Sequence, residues 1–233
     1  LGERRWKRTD RWPPPGVRAE RWHLAPERRL SPGPPPAAAG ADDYEVDFRA
    51  STGTRNRWRT LLDDGDVAYP GRARSGGRRI AWTGEPLAAG IEITGNPRVR
   101  LFLRSSAPDA ALYAYLEAVL PSGRAVYLTE GQLRLVHHEL GRGDPPYASL
   151  LPWRSFAGAD ARPLVPGERI EVVLGLLPTS VRLPPGAALR LSIAGHDADT
   201  FRRIPERGPV RLTIERGPET PSWLELPVAG GAG

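Results

Sequence analysis

Serine and histidine are the residue types from which a hydrolase would build a nucleophile and its base, and this chain of 233 residues contains both. An α/β-hydrolase carries its nucleophilic serine in a G-x-S-x-G pentapeptide, at a sharp turn from a strand into a helix. The nearest match is Ser75 in ARSGG, which has alanine in place of the first glycine and no predicted helix after it. The sequence therefore predicts no nucleophile of this kind.

The histidines do not combine into a catalytic or metal site. His137 and His138 are adjacent, and neighbouring residues of a strand point to opposite faces, so the pair is unsuited to one metal ion. His196 is close to Asp197 and Asp199, either of which could orient its imidazole. Because no nucleophile accompanies His196, we favour a polar turn at the end of a strand.

Three aspartates suggest a weak metal site. Asp63, Asp64 and Asp66 surround Gly65, and carboxylates beside a glycine turn can bind calcium. The match to a twelve-residue calcium loop does not extend beyond this core. We therefore favour a solvated turn, with no metal and no cofactor, and keep calcium as the alternative.

Four tryptophans suggest a sugar site. Trp58, Trp82, Trp153 and Trp223 could form an aromatic platform on which a sugar ring stacks. Tryptophans of a β-sandwich more often pack in the core or at an interface. We favour the core, and a carbohydrate-binding module remains the second hypothesis.

The elements that must position these residues are short strands separated by Pro- and Gly-rich turns. In residues 97–106, Val99, Leu101 and Leu103 alternate with arginines, which predicts a half-buried strand. Further strands are predicted in residues 44–49, 79–84, 91–95, 110–120, 124–140, 168–177, 188–195 and 209–216. Capped helical periodicity is lacking, so helix should be a minor component. The pattern predicts an all-β antiparallel sandwich of jelly-roll type.

Two segments are predicted to be irregular. Prolines discourage helix and sheet in residues 12–40, where there is room only for a short strand at residues 22–24. Residues 50–77 form the longest stretch between predicted strands, and loops of this length inside a domain are often functional. A functional surface is therefore sought in residues 50–77.

Composition limits the classes of function. The chain has no cysteine, which excludes disulfides, thiolate metal sites and cysteine nucleophiles. No apolar run approaches the roughly 18 residues of a membrane span. The net charge is +6, but the arginines are dispersed among 27 acidic residues and Lys7 is the only lysine, so neither nucleic acid nor a membrane is expected as a partner.

The first residues of the chain indicate whether it begins at a translation start and whether it carries a signal peptide. The chain opens on Leu1 and contains no methionine, so we expect that residue 1 is not a translation start. The polar, proline-rich start does not resemble a signal peptide. The compartment stays open, with a cytoplasmic location favoured.

Four segments, in this order, resemble one known family: ERRWKRTDRWPPP (3–15), the block from IAWTGEP to LVHHE (80–139), the block from PLVPGE to LSIAG (163–195) and RGPETPSWLELPV (216–228). The chain resembles the C-terminal domain of Xaa-Pro dipeptidyl-peptidase-like serine hydrolases of the CocE/NonD type, which include cocaine esterase and α-amino-acid ester hydrolases. The family's Gly-His-Arg element before the LRLSI-like strand is replaced here by residues 185–188, so no role is carried over for that histidine.

The resemblance implies a galactose-binding-like jelly roll in residues 41–233. It implies that residues 1–40 lead in from an upstream α/β-hydrolase domain, which carries the Ser-Asp-His triad and acts on a small Xaa-Pro peptide, ester or amide. No catalytic residue is then expected in this chain.

The resemblance also directs residues 50–77 towards the active-site cleft. The predicted wall of the substrate pocket consists of Asn56 for a hydrogen bond and Trp58, Leu61 and Leu62 for apolar contact. Packing of Trp58 on the domain's own core is the alternative. A third class of function, an oligomerisation domain that forms homo-oligomers, would require a large apolar face.

Overall fold

The computed structural model describes residues 6–63, 65–69 and 77–230, which form thirteen strands and one short α-helix. The helix α1 spans Arg57–Asp63. The strands are β1 (Val17–Ala25), β2 (Arg29–Pro32), β3 (Gly40–Glu45), β4 (Ile80–Thr83), β5 (Ile91–Gly95), β6 (Arg98–Ser105), β7 (Ala111–Val119), β8 (Ala125–Arg134), β9 (Arg169–Gly175), β10 (Thr179–Leu183), β11 (Ala188–Ala194), β12 (Arg211–Arg216) and β13 (Trp223–Ala229). None of the described helices has the length and apolarity of a membrane span.

All thirteen strands belong to one large open sheet, in the order β3-β12-β6-β13-β1-β2-β4-β11-β7-β8. β5 also pairs with β13 and β10, and β9 pairs with β6. The pairings are antiparallel except for one parallel contact of Arg29 on β2 with Thr83 on β4. Buried side chains from the strands before and after this contact in the strand order belong to one hydrophobic core. The predicted all-β class is confirmed, and the jelly-roll and galactose-binding-like topology stays a prediction.

The alternation in residues 97–106 is confirmed by β6. Val99, Leu101 and Leu103 are fully buried, whereas the residues between them are partly exposed. β7 differs, because all but its last residue are buried. Leu112 and Leu116 face the main core, but Tyr115 on the opposite face is equally inaccessible. Another part of the chain must therefore cover the outer face of β7.

The prediction of only a short strand in the proline-rich start is wrong. β1 has nine residues and pairs with β13 from Val17↔Ala229 to His23↔Trp223. The prolines did not prevent this pairing, because 13–15 and Pro26 lie outside β1 and interrupt none of its hydrogen bonds. Residues 17–32 therefore lie in the sheet, while the origin of the preceding residues in another domain stays a prediction.

Three other bounds differ from the predicted ones. β3 ends at Glu45 instead of residue 49, because the Asp47 carboxylate accepts a hydrogen bond from the Arg49 amide at 2.9 Å and forms a local turn. β8 ends at Arg134, and residues 135–137 form a 3₁₀ turn. The stretch 50–77, predicted to be irregular, contains α1.

Candidate functional site

The connection between β3 and β4 packs on outward-facing side chains of β7, β8 and β11. We call its described residues 46–63 and 65–69 the covering segment. Beneath it, buried apolar residues form a second, smaller core: Ala50, Ala111, Tyr113, Tyr115 and Ala194, with Tyr127, Phe201 and Ile204 partly buried beside them. This second core joins the covering segment to the sheet.

Asp197, after β11, anchors the covering segment. Its side chain is almost fully buried and accepts hydrogen bonds from the Thr52 amide at 2.9 Å and the Thr52 hydroxyl at 2.5 Å. The Tyr115 hydroxyl on β7 donates to the same carboxylate at 3.2 Å. A buried carboxylate is tolerated only when its oxygens are hydrogen-bonded, and Asp197 thereby links the segment to β7.

Asn56 begins the helix α1. Its side-chain oxygen accepts a hydrogen bond from the Arg59 amide at 2.9 Å, which is the contact of a helix N-cap. Its amide nitrogen donates to the Thr52 hydroxyl at 2.8 Å and the Gly53 carbonyl at 2.9 Å. Asn56 is fully buried by these contacts, so its side chain positions the helix and is not exposed for a hydrogen bond to a substrate.

Tyr69, at the C-terminal end of the covering segment, binds this segment to β8. Its hydroxyl donates to the buried Glu130 carboxylate on β8 at 2.5 Å and accepts a hydrogen bond from the Arg57 amide at 3.0 Å. Its ring stacks on Tyr127, with centroids 3.7 Å apart and planes 6° apart. Burial first, and the Glu130 carboxylate second, raise the pKa of the Tyr69 hydroxyl well above its usual range. Tyr69 therefore stays neutral and holds the first turn of α1 on the sheet.

Glu117 on β7 is a fully buried charge with two arginine partners. Its carboxylate lies 3.3 Å from Arg79 and 2.8 Å from Arg190, and it accepts a hydrogen bond from the Ser192 hydroxyl at 2.6 Å. The Arg79 guanidinium also lies over the Tyr115 ring, 5.5 Å from its centroid. Such groups are stable inside a protein only as a complete, hydrogen-bonded set.

The predicted apolar wall residues lie on α1. Leu61 is 74 % exposed. Trp58 is half-buried, and its ring meets Phe201 edge-on with centroids 6.0 Å apart. Leu62 lies in the helix, but its side chain is outside the described part of the structure. Val67, also in the covering segment, is 53 % exposed. A rigidly held helix thus presents Leu61 outwards.

The other predicted ligand sites find no support among the described residues. No group of three His, Asp or Glu side chains there could hold a metal ion. Asp66 is exposed, but Asp64 and Ser75 lie outside the described residues, so the calcium hypothesis stays a prediction. Trp82 and Trp223 are buried in the domain, so the four tryptophans do not form one exposed platform.

His196 occupies a strand-end position, as we favoured. Its ring is buried, 5.7 Å from the Phe48 ring, and its Nδ1 makes no hydrogen bond within the described residues. Asp197 bonds instead to Thr52 and Tyr115, and Asp199 accepts a hydrogen bond from Ser51. Burial lowers the pKa of His196 below its usual value, against an opposing effect of Asp197.

Sequence patterns suggested a different role for Asp197 and none for Tyr69 and Glu130, although all three anchor the covering segment. Only Asn56 carried a local signal, since asparagine is a preferred residue immediately before a helix. Each of the others bonds to a residue at least 60 positions away, which local patterns do not reveal.

Residues 1–225 match the family model described as X-Pro dipeptidyl-peptidase C-terminal non-catalytic domain. The chain belongs to this family. The predicted resemblance is thereby confirmed for nearly the whole chain.

One relative in sequence and two solved structures are similar to this chain. A Mycobacterium bovis protein named as a putative serine esterase is 42% identical over 227 residues, which are 97% of this chain and 36% of that protein. A CocE/NonD family hydrolase of Staphylococcus aureus aligns with a TM-score of 0.71 and 16% identity, covering 96% of this chain and 38% of its own. An α-amino acid ester hydrolase aligns with a TM-score of 0.72 and 19% identity, covering 97% and 40%. These two structures show the fold.

The chain spans about a third of the length of the first of these relatives. The domain family is that of the non-catalytic C-terminal part of larger hydrolases.

Proposed function

We propose that this chain is the C-terminal domain of a serine hydrolase that acts on Xaa-Pro peptides, esters or amides, with the catalytic triad in an upstream α/β-hydrolase domain. The family match over residues 1–225 carries this proposal. The 42% identity to a protein named as a serine esterase supports the chemistry.

The test of this activity uses the native protein. An antibody against the domain captures it from its source, and a fluorophosphonate probe then labels any activated serine. A labelled band much larger than 25.4 kDa is expected. An unlabelled band near 25.4 kDa would contradict the proposal and leave a free-standing binding domain.

We infer that α1 forms part of the wall of the active-site cleft in that enzyme. The supporting observation is an exposed apolar side chain, Leu61, on a helix that Asn56, Asp197 and Tyr69 hold in place. Residues that shape a binding site are most precise when buried neighbours fix them. An apolar wall also excludes water from the reacting bond.

Substituting Leu61→Ser in the whole enzyme tests this wall. Loss of one apolar contact should raise KM by up to about tenfold for esters with a bulky acyl group, and less for acetyl esters. Val165→Ser is the matched control, because Val165 is 61% exposed but lies in the connection between β8 and β9. Unchanged kcat and KM for all esters in Leu61→Ser would contradict the inference.

No observation favours the carbohydrate module, since two of its four tryptophans are buried in the domain. Homo-oligomer formation stays a prediction.

A further inference from the structure

A second long connection, between β8 and β9, encloses a cavity away from the covering segment. The cavity has a volume of about 170 Å³ and is lined by residues of the segments 137–142 and 153–162. A cavity of about 150 Å³ in another protein is large enough to hold benzene. We call this space the arginine cavity, because Arg142, Arg154 and Arg162 all line it.

Arg154 is a buried charge that lacks a carboxylate partner in the part of the chain that the structure describes. It is 7% exposed and donates from Nε to the His137 carbonyl at 2.5 Å. Nη2 donates to the carbonyls of His138 and Val173, both at 2.8 Å. Carbonyl groups are dipoles without a net charge, so they do not neutralise the full positive charge of Arg154. Burial accordingly lowers the pKa of Arg154 to about 10.

One nitrogen of the Arg154 guanidinium, Nη1, has no hydrogen-bond acceptor among the described residues. A guanidinium has five N–H donors, and the three hydrogen bonds of Arg154 all come from Nε and Nη2. Nη1 donates to no described residue, yet it is not among the fully inaccessible unpaired atoms. Since Arg154 lines the arginine cavity, Nη1 is the donor available to an anion inside it.

The remaining charges of the lining favour an anion as well. Three arginines line the cavity with two carboxylates, Glu139 and Asp160. The Ser155 hydroxyl donates a hydrogen bond to Asp160 at 2.5 Å, which leaves the negative charge of that carboxylate in place. The three guanidinium groups still outnumber the two carboxylates, so the local balance is positive, and a bound carboxylate would complete the pairing of a buried arginine.

The other walls are apolar and aromatic. The Trp153 ring lies flat against Gly141, where an added Cβ would come within 2.0 Å of the ring, so only glycine admits the tryptophan. Phe156 meets His137 edge-on at 5.5 Å and is 61% exposed. Its φ of 54° is a left-handed conformation that non-glycine residues rarely adopt, and such strain concentrates at functional sites.

We propose that the arginine cavity binds small organic carboxylates with a flat apolar group. The carboxylate accepts hydrogen bonds from Nη1 of Arg154, and the apolar group lies between Trp153 and Phe156. This site is independent of the serine hydrolase activity proposed above, and it assigns to the domain a ligand of its own.

Benzoate is the probe, and benzamide is its uncharged counterpart of the same shape. The ¹⁵N-labelled 233-residue chain is titrated with each compound while its amide resonances are followed. Benzoate should shift the resonances of residues 137–142 and 153–162 in a saturable manner. Benzamide should bind at least about tenfold more weakly, because its carbonyl oxygen accepts the hydrogen bond from Arg154 without a negative charge. Equal binding of the two compounds, or benzoate shifts elsewhere only, would overturn the proposal.

Two variants assign the site. Arg154→Gln should weaken benzoate at least about tenfold, and Arg134→Gln, a surface arginine paired with Asp109, is its control. Because Arg154→Gln also removes three backbone contacts and can fail to fold, Phe156→Gly provides a second test. It should weaken benzoate about threefold to tenfold by removing one aromatic wall. Arg28→Gly, at an equally left-handed φ of 55° in the turn before β2, should leave binding unchanged.

A final titration uses the longer natural protein with its active-site serine blocked. Benzoate should again shift or protect the residues of the cavity. Binding to the 233-residue chain alone would overturn the proposal, because another part of the protein would then fill the cavity.

Discussion

The buried charges near the β3–β4 connection and in the β8–β9 connection differ in whether a charged partner accompanies them. Arg79, at the end of the first connection, and Arg190 both pair with the carboxylate of Glu117. In the second, Arg154 bonds to carbonyl oxygens alone among the described residues and lines a cavity. Buried charges that are fully paired hold an architecture in place. A buried charge that lacks its counterion and borders a cavity is suited to a ligand.

The largest expected effect is on stability, and it comes from removing the charge of the buried Glu117 carboxylate. Glu117→Gln removes the buried negative charge that pairs with Arg79 and Arg190, and it should lower the free energy of unfolding by about 3 kcal/mol. Urea denaturation of the 233-residue chain measures this difference. Glu206→Gln, which removes an exposed partner of Arg202, is the control and should leave the urea midpoint nearly unchanged. Equal effects of the two substitutions would show that Glu117 is not an anchor.

The next largest effect concerns helix α1, which is held by the hydrogen bonds of Asn56, Asp197 and Tyr69. Asn56→Ala removes the N-cap of α1 and leaves Thr52 and Gly53 without a donor, which should cost about 2 kcal/mol. Hydrogen exchange should accelerate most at the Arg59 amide, which loses its acceptor, the side-chain oxygen of Asn56. If exchange rises uniformly over the domain instead, the network does not hold α1 specifically.

A smaller effect concerns pH. The buried His196 has a lowered pKa, so below about pH 6.5 the unfolded chain takes up a proton more readily than the folded one. The contribution of His196 to stability is therefore present above this pH and is lost as the pH falls through the lowered pKa. Denaturation midpoints measured between pH 7 and 5 should fall less steeply in His196→Gln than in the parent chain. Parallel curves would contradict the assignment.

The smallest expected effect is a gain in stability when a left-handed backbone conformation is relieved, either in the wall of the arginine cavity or away from it. Phe156→Gly and Arg28→Gly each relieve a left-handed conformation, and both should stabilise the chain by about 0.5 kcal/mol. Only Phe156→Gly should also weaken benzoate. Thermal unfolding of the two variants, beside the titration, makes the comparison. A loss of stability in Phe156→Gly would mean that its ring has a packing role.

Local patterns predicted much of the fold and little of the site. Alternation predicted β6, whose apolar residues face one core. It understated β1, whose nine residues are stabilised by pairing with β13 about 200 positions later. The helix α1 has only seven residues, too few for a periodic pattern, and depends on the buried cap Asn56. Arg154 gave no signal, because an arginine is normally exposed.

We propose that α1 borders the active-site cleft of the whole enzyme. Because this chain contains no cysteine, any alkylated peptide from this domain reports an introduced thiol, which permits a direct test by peptide mass spectrometry. Leu61→Cys and Val165→Cys are introduced separately, and the rate at which each thiol is alkylated is measured before and after the active-site serine is blocked with a bulky phosphonate. We expect blocking to slow alkylation of Leu61→Cys and to leave Val165→Cys unchanged. Unchanged alkylation of Leu61→Cys would contradict the account.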